Sequence, residues 1–324
     1  MGLEEFLAEW HNDSPTVLVH TSGSTGKPKP MLVEKRRMEA SARITCRFLG
    51  LKSGDTALLC MSLDYIAGKM MVVRALTCGL KLVAVEPCGS PEWDGDIDFA
   101  AMVPMQVYNL LQSEEGKKRL MGVKHLIIGG GAIDDELARM LVSFPNQVWS
   151  TYGMTETLSH IALRRLNGPE ASEWYTPFEG VGLSLTDEGC LMIDAPAVHD
   201  GPLVTNDIVE LSDKGFRILG RKDNVICSGG IKIQIEEVER LLKPYLPEPF
   251  MITKRADKKF GEQVVLLTES RDMGIIKDTC CRVLPKYWHP RSFLHVDQLP
   301  MTETGKPARK EAERLAALAL TIEV

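Results

Sequence analysis

The sequence predicts an α/β fold: a mostly parallel sheet with flanking helices and a small β subdomain at about 180–220, followed by a small α+β C-terminal domain. Three observations carry this. Short apolar runs alternate with helix-length segments up to about residue 151, brief strands punctuated by turns take over from about Gly180 to Leu219, and strand and helix alternate again from Val225 onward. A chain of 324 residues is long enough for two domains, placed at 1–220 and 221–324.

In chain order, the first distinctive stretch is Thr21-Ser22-Gly23-Ser24-Thr25-Gly26-Lys27-Pro28-Lys29. Its glycines let the backbone approach an anion closely, its hydroxyls add donors, and Lys27 and Lys29 supply charge, so it reads as a phosphate cradle. It is not a Walker A loop: Thr21 stands where that motif's first glycine belongs, and Pro28 where its Mg²⁺-binding hydroxyl belongs. Taken alone, it is equally a flexible Gly/Ser turn.

Leu32–Leu49 is predicted helical, with Met38, Ala42, Thr45, Cys46 and Leu49 at helical spacing and Gly50 as the stop. A strand is expected at Thr56–Cys60, a helix buried nearly all round at Tyr65–Cys78, and strands buried on both faces at Lys81–Val85 and Asp98–Val103. Helix Gln106–Gln112, strand Val123–Ile128, amphipathic helix Asp134–Phe144 and strand Gln147–Thr151 follow. Ligands of such sheets sit at the carboxyl ends of the strands, where Gly129–Gly131 and Tyr152–Thr157 both fall. Short strands are expected at Gly189–Asp194, Leu203–Thr205, Ile208–Leu211 and Phe216–Leu219. Beyond Val225 come helix Glu236–Leu242, strand Glu262–Thr268, helix Met273–Leu284 and strand Ser292–Val296.

Composition narrows the function classes. The formal charge of -6 and the lack of a basic run argue against nucleic acid or an anionic membrane as the main partner. The acidic start is unlike a signal peptide and no apolar run could span a bilayer, which makes the cytosol the default. Eight cysteines without C-x-x-C spacing read as reduced, partly buried thiols and give no structural metal site; Cys280 and Cys281 are expected on a helix.

Five separated segments then point one way. TSGSTGKPK at Thr21–Lys29, YGMTET at Tyr152–Thr157, TND at Thr205–Asp207, GRKDNVICSGGIKIQIEEVE at Gly220–Glu239 and PMTETGK at Pro300–Lys306 resemble, in this order, the motifs of the adenylate-forming superfamily. That superfamily includes acyl- and aryl-CoA synthetases, peptide-synthetase adenylation domains and luciferases. The resemblance implies a carboxylate attacking the α-phosphate of MgATP, then displacement of AMP by a thiol, usually that of coenzyme A. Both reactants of the first step are anionic, so alignment and charge neutralisation are the main tasks.

The resemblance assigns roles. Thr21–Lys29 would hold the β- and γ-phosphates, Tyr152 would stack on adenine, Thr155 would donate to the α-phosphate, and Glu156 would hold Mg²⁺; Gly130, Gly131, Ala132, Gly153 and Met154 complete the ATP-binding set. Asp207 suits the ribose hydroxyls, with Arg221 as a second contact. The bland alternatives are a core tyrosine at 152 and a turn residue at 207. Lys306 would bridge carboxylate and α-phosphate, whereas most loop lysines are simply solvated. Asp223 falls at the expected hinge of a mobile lid whose rotation would withdraw Lys306 and present Gly229 and Gly230 to the thiol. Asn206 replaces a usual glycine and Ile235 a usual proline. Relatives usually carry a whole subdomain before the phosphate loop; here about twenty residues precede it, which reads as a short form or a fragment.

Within the superfamily, Tyr152–Ile161 and the helix containing Tyr65, Gly68, Lys69 and Arg74 most resemble the o-succinylbenzoate–CoA ligases of menaquinone biosynthesis. An acid with an aromatic ring and two carboxylates needs an apolar slot and a cationic or donor group for the carboxylate that does not react. Arg74, Lys69, Ser159 and His160 are the candidates; Tyr65 stands where relatives often have His. The alternatives are Arg74 capping its own helix and His160 as a surface histidine. Two further readings stay open: a CoA ligase for another aryl or fatty acid, and a non-catalytic nucleotide-binding module. The expected partners are a small carboxylic acid, ATP and CoA, and the sequence is compatible with a homodimer.

Overall fold

The computed structural model describes residues 1–20, 30–133, 135–302 and 307–319. The chain divides into two compact units. One comprises 1–184, 192–204 and 211–217, the other 185–191, 205–210 and 218–324.

The first unit is built on a seven-stranded sheet in the order Lys81–Ala84, Thr56–Leu59, Ile97–Met102, Val123–Ile128, Gln147–Gly153, His160–Arg165, Thr176–Pro177. The first five strands run parallel and the last two pairings are antiparallel. Central strands are apolar on both faces because helices cover both, and Leu58, Ala100, Leu126, Ile128 and Val148 share one buried cluster with Val107, Leu120 and Leu141. The mostly parallel sheet with flanking helices is thus the architecture the sequence predicts.

Several boundaries differ. Leu32–Glu34 is not helical: Pro30–Glu34 pairs antiparallel with Thr16–His20, and the helix is Lys35–Leu49, ended by left-handed Gly50. The ribbon alternates buried Val17, Val19 and Val33 with exposed Leu18 and Leu32, a period-two pattern that a helical reading of Leu32 and Val33 hides. Lys81–Ala84 is the sheet's outer strand and is only partly covered, so its expected burial on both faces is wrong; Ile97–Met102, second from it, is buried as expected. The helix expected at Gln106–Gln112 begins at Pro104, which suits a first helical turn. Three helices escaped the sequence reading: Leu3–His11, Glu114–Met121 and Arg309–Leu318. The second is capped by Ser113 Oγ, which accepts from the Gly116 N–H.

Gly182–Leu185, Cys190–Asp194, Leu203–Ser212 and Gly215–Arg221 form a four-stranded sheet in sequence order, and each strand has residues in both units. The rest of the second unit is a five-stranded sheet. Phe250–Asp257 pairs antiparallel with Gly261–Thr268, which also takes Ser292–His295 in parallel and joins the hairpin of Val225–Ser228 and Ile231–Gln234. Helices Ile235–Leu242 and Met273–Val283 close one core through Val238, Leu242, Ile276 and Cys280. Helix Arg309–Leu318 packs Ala312 and Ala316 against Met251, Val265 and Leu267.

All eight cysteines are free thiols, and Cys280 and Cys281 share a helix as expected. Among the described residues no helix is long and apolar enough to cross a membrane.

Candidate active site

Two neighbouring parallel strands end at the candidate nucleotide site. Val123–Ile128 leads into Gly129–Ala132, and Gln147–Gly153 leads into Met154–Thr157, with Ile128 in register with Ser150. Their closeness explains the glycines. A Cβ at Gly129 would lie 2.1 Å from Thr151 Oγ1, and Gly130 has φ +76°. At Gly153, where the register slips against His160–Arg165, a Cβ would lie 2.3 Å from the Ser159 carbonyl oxygen.

Tyr152 is buried, with its ring edge-on to Phe216 at 4.9 Å and tilted against Tyr175 at 5.9 Å. Tyr175 OH and Ser150 Oγ lie 2.8 Å apart, which braces the aromatic group from behind. Thr155 is buried and opens a single 3-10 turn, while Glu156 projects to solvent. Thr157 Oγ1 accepts from the Met154 N–H at 3.0 Å and lies 2.7 Å from the Ser159 carbonyl, which pins the turn. Leu158 then takes φ +64°, a strained value for a bulky residue, at the point where the chain reverses into His160–Arg165.

No group of three or more His, Cys, Asp or Glu able to hold a metal occurs among the described residues. One exposed carboxylate at Glu156 fits Mg²⁺ that keeps its waters and arrives with phosphates, rather than a metal held in a protein cage.

The candidate acid-binding residues separate into two groups. Arg74, Ser159 and His160 come together: Arg74 Nη2 donates to Ser159 Oγ at 2.6 Å, and Ser159 Oγ lies 3.1 Å from His160 Nδ1. Arg74 therefore reaches across to the motif turn instead of capping its own helix, and His160 is a buried residue, not a surface one. Arg74 is 2% exposed, with its guanidinium centre 5.9 Å from the Phe99 ring, and it has no carboxylate partner among the described residues. Burial pushes its pKa down to about 10. Burial, and then the Arg74 charge, hold His160 well below the ordinary histidine range, so it is neutral. A small cavity of about 20 Å³ lies beside His160, lined by Ile44, Phe178, Val181 and Val198.

Lys69 turns elsewhere. Its ammonium donates to the Leu18 carbonyl at 2.7 Å, lies 3.5 Å from Glu9 Oε2 and sits over the Phe6 ring, tying together the first helix, the ribbon and helix Ile66–Cys78. Tyr65 is the half-exposed residue preceding that helix. Gly68 is required by packing, since a Cβ there would lie 2.3 Å from the Ser62 carbonyl.

In the second unit, Arg221 joins the expected ribose and hinge residues. Its Nη1 donates to Asp207 Oδ1 and its Nη2 to Asp223 Oδ2, both at 3.0 Å, and Asn206 Nδ2 also reaches Asp223. Gly229 and Gly230 form the two-residue turn of the Val225–Gln234 hairpin, with φ +58° and +85°. That turn demands glycine-like conformations at both positions whatever else they do.

Thr21–Lys29 and Lys306 lie outside the described residues. Their flanks are fixed: His20 pairs with Pro30, and Met301 bridges Pro307. Arg309, just beyond, forks onto Glu239 with contacts of 2.6 and 2.7 Å. Thr45, whose Oγ1 lies 3.1 Å from His160 Nε2, was missed by the sequence reading; a threonine on an apolar helix face carries no signal of a partner 115 residues away.

The profile of the AMP-binding enzyme family matches residues 4–197. A solved acyl-CoA synthetase (AMP-forming)/AMP-acid ligase II-like protein from Dyadobacter fermentans is 33% identical, covers 96% of this chain and 92% of its own, and superposes with a TM-score of 0.66. The 2-succinylbenzoate–CoA ligase of Listeria innocua is 25% identical over 93% of this chain and 70% of its own length. The o-succinylbenzoate CoA synthetase of Bacillus subtilis, solved with the acyl-adenylate intermediate, shares the fold at a TM-score of 0.75 and 23% identity, over 91% of this chain and 68% of that one. By the extent of the profile match and by the likeness to the Dyadobacter protein, the chain belongs to the AMP-binding enzyme family.

Proposed function

We propose that this protein is an AMP-forming acid–thiol ligase acting on o-succinylbenzoate. In the first step a carboxylate oxygen bonds to the α-phosphorus of ATP and the bond to pyrophosphate breaks. In the second, the thiol of coenzyme A attacks the acyl carbon and AMP leaves. The observation that carries the substrate is the buried Arg74 guanidinium: it has no carboxylate of its own among the described residues and it touches the turn of the ATP-binding motif through Ser159. A dicarboxylic acid with one end at Thr155 and the other near Arg74 would supply the missing anion. The names of the Listeria and Bacillus relatives support the same acid.

In this reading Tyr152 stacks on adenine, Thr155 donates to the α-phosphate, Glu156 takes the Mg²⁺ that accompanies ATP, and Asp207 and Arg221 meet the ribose. The segment 221–324 acts as a lid hinged at Asp223, bringing Lys306 for adenylation and Gly229–Gly230 for the thiol step. We place the reaction in the cytosol, consistent with eight free thiols.

The test is a coupled assay with o-succinylbenzoate, ATP and CoA, run beside benzoate and a medium-chain fatty acid. AMP and thioester should form fastest with o-succinylbenzoate. Faster turnover of another acid would overturn the substrate, and failure of every acid to support ATP–pyrophosphate exchange would overturn the ligase.

A further inference from the structure

Four side chains on three separate segments form one chain of hydrogen bonds. Arg74 on helix Ile66–Cys78 contacts Ser159, which contacts His160, which contacts Thr45 on helix Lys35–Leu49, and Thr45 Oγ1 lies 3.1 Å from the Ser41 carbonyl one turn back. The proton positions follow from the two ends. A carbonyl only accepts, so Thr45 donates to Ser41 and must accept from His160 Nε2–H. With its proton on Nε2, His160 accepts at Nδ1, and the Ser159 hydroxyl proton points there. A guanidinium only donates, so Ser159 Oγ accepts from Arg74. Every bond runs in the same direction, and none can be reversed without losing another.

We infer that Thr45 and His160 are positioning residues for substrate recognition: they commit the Ser159 hydroxyl proton to His160, leave Ser159 as an acceptor only, and thereby fix the Arg74 guanidinium as the donor for an anionic group of the acid. Ser159, so committed, has no proton for a carboxylate. Arg74 does: among the described residues its buried Nε–H has no hydrogen-bond partner, and Nη1 faces only Met71 Sδ at 3.8 Å. This inference rests on the ligase reading and extends it to residues that touch neither ATP nor the reacting carboxylate.

Two measurements test it. The first compares Thr45→Val with Thr45→Ser, using o-succinylbenzoate and the analogue in which the non-reacting carboxylate is replaced by hydrogen. Thr45→Val should lower kcat/KM for the dicarboxylate about tenfold, mainly through KM, and for the analogue by no more than about threefold; Thr45→Ser should restore the difference. Equal losses on both acids, or no rescue by serine, would overturn the inference. The second is the ¹⁵N spectrum of His160 in the free wild-type enzyme, where the neutral Nε2–H tautomer is expected. An Nδ1–H tautomer or an imidazolium at neutral pH would break the chain of bonds whatever the substrate proves to be. A wild-type enzyme that ignores o-succinylbenzoate would remove the substrate reading, and with it the recognition role, while the spectrum still decides the direction of the bonds.

Discussion

Replacing Arg74 by methionine should separate stability from function. A guanidinium taken wholly out of water with no counter-charge among the described residues is expensive, and the fall of its pKa to about 10 reflects that expense. The displacement corresponds to roughly 3 kcal/mol carried by the charged form in the folded state. The sign is that of a base whose folded pKa is depressed: the penalty is complete below about pH 10 and is relieved only as pH rises above it. Against this, Arg74→Met loses one charge-assisted hydrogen bond to Ser159, about 1.5–3 kcal/mol, and the Phe99 contact. Ser159 keeps its bond to His160, so no polar atom is stranded by the change. The expected net change in unfolding free energy at pH 8 is therefore between zero and about 1.5 kcal/mol in favour of the variant, read from paired urea titrations. The same variant should lose at least about 100-fold in kcat/KM for o-succinylbenzoate, because an unpaired carboxylate would be left in an apolar site. Destabilisation by more than about 2 kcal/mol would refute the reasoning, since it would mean that Arg74 holds the fold together rather than burdening it.

Other expectations can be checked more briefly. Lys306→Ala should abolish ATP–pyrophosphate exchange while largely sparing thioester formation from supplied acyl-adenylate; equal loss of both would end the alternating-lid reading. Gly153→Ala should cost about 1–3 kcal/mol and lower the yield of folded protein, because its Cβ would fall 2.3 Å from the Ser159 carbonyl; an unchanged melting curve would show that the register slip tolerates a side chain. Since His160 is held neutral by burial and by Arg74, the unfolded chain takes up its proton first as pH falls below about 6.5, so stability should decline there. His160→Gln should flatten that part of the pH–stability profile, and an unchanged slope would mean that another group titrates.

The parts of this fold legible in the sequence are those whose pattern is local. Ile97–Met102, Val123–Ile128 and Gln147–Gly153 are short apolar runs between helix signals, and their ends carry Gly129–Gly131 and Tyr152–Glu156, so sheet and motif position could be read together. Leu32 and Val33 read as helical because three residues do not distinguish period two from period 3.6; their pairing with Leu18 and Val17 decides it. Lys81–Ala84 looked central because composition reports apolarity and not the number of neighbouring strands. Arg74, Ser159 and His160 were recognised through resemblance, yet Lys69, five residues before Arg74, points to Glu9 instead. Which side chains converge is fixed by the crossing of helices Lys35–Leu49 and Ile66–Cys78, and no spacing along the chain encodes that.

Arg221 shared between Asp207 and Asp223 has a consequence for any ligand of Asp207. A ribose hydroxyl that takes Asp207 Oδ1 takes it from a guanidinium, so binding there is an exchange of partners and its net free energy is a difference. The pair is poorly shielded from water, with 41% of the Arg221 side chain exposed, so its surrender costs no more than about 1 kcal/mol. Added salt weakens the pair before any ligand arrives, and this residue's share of the affinity for a neutral ribose hydroxyl should therefore rise modestly with ionic strength.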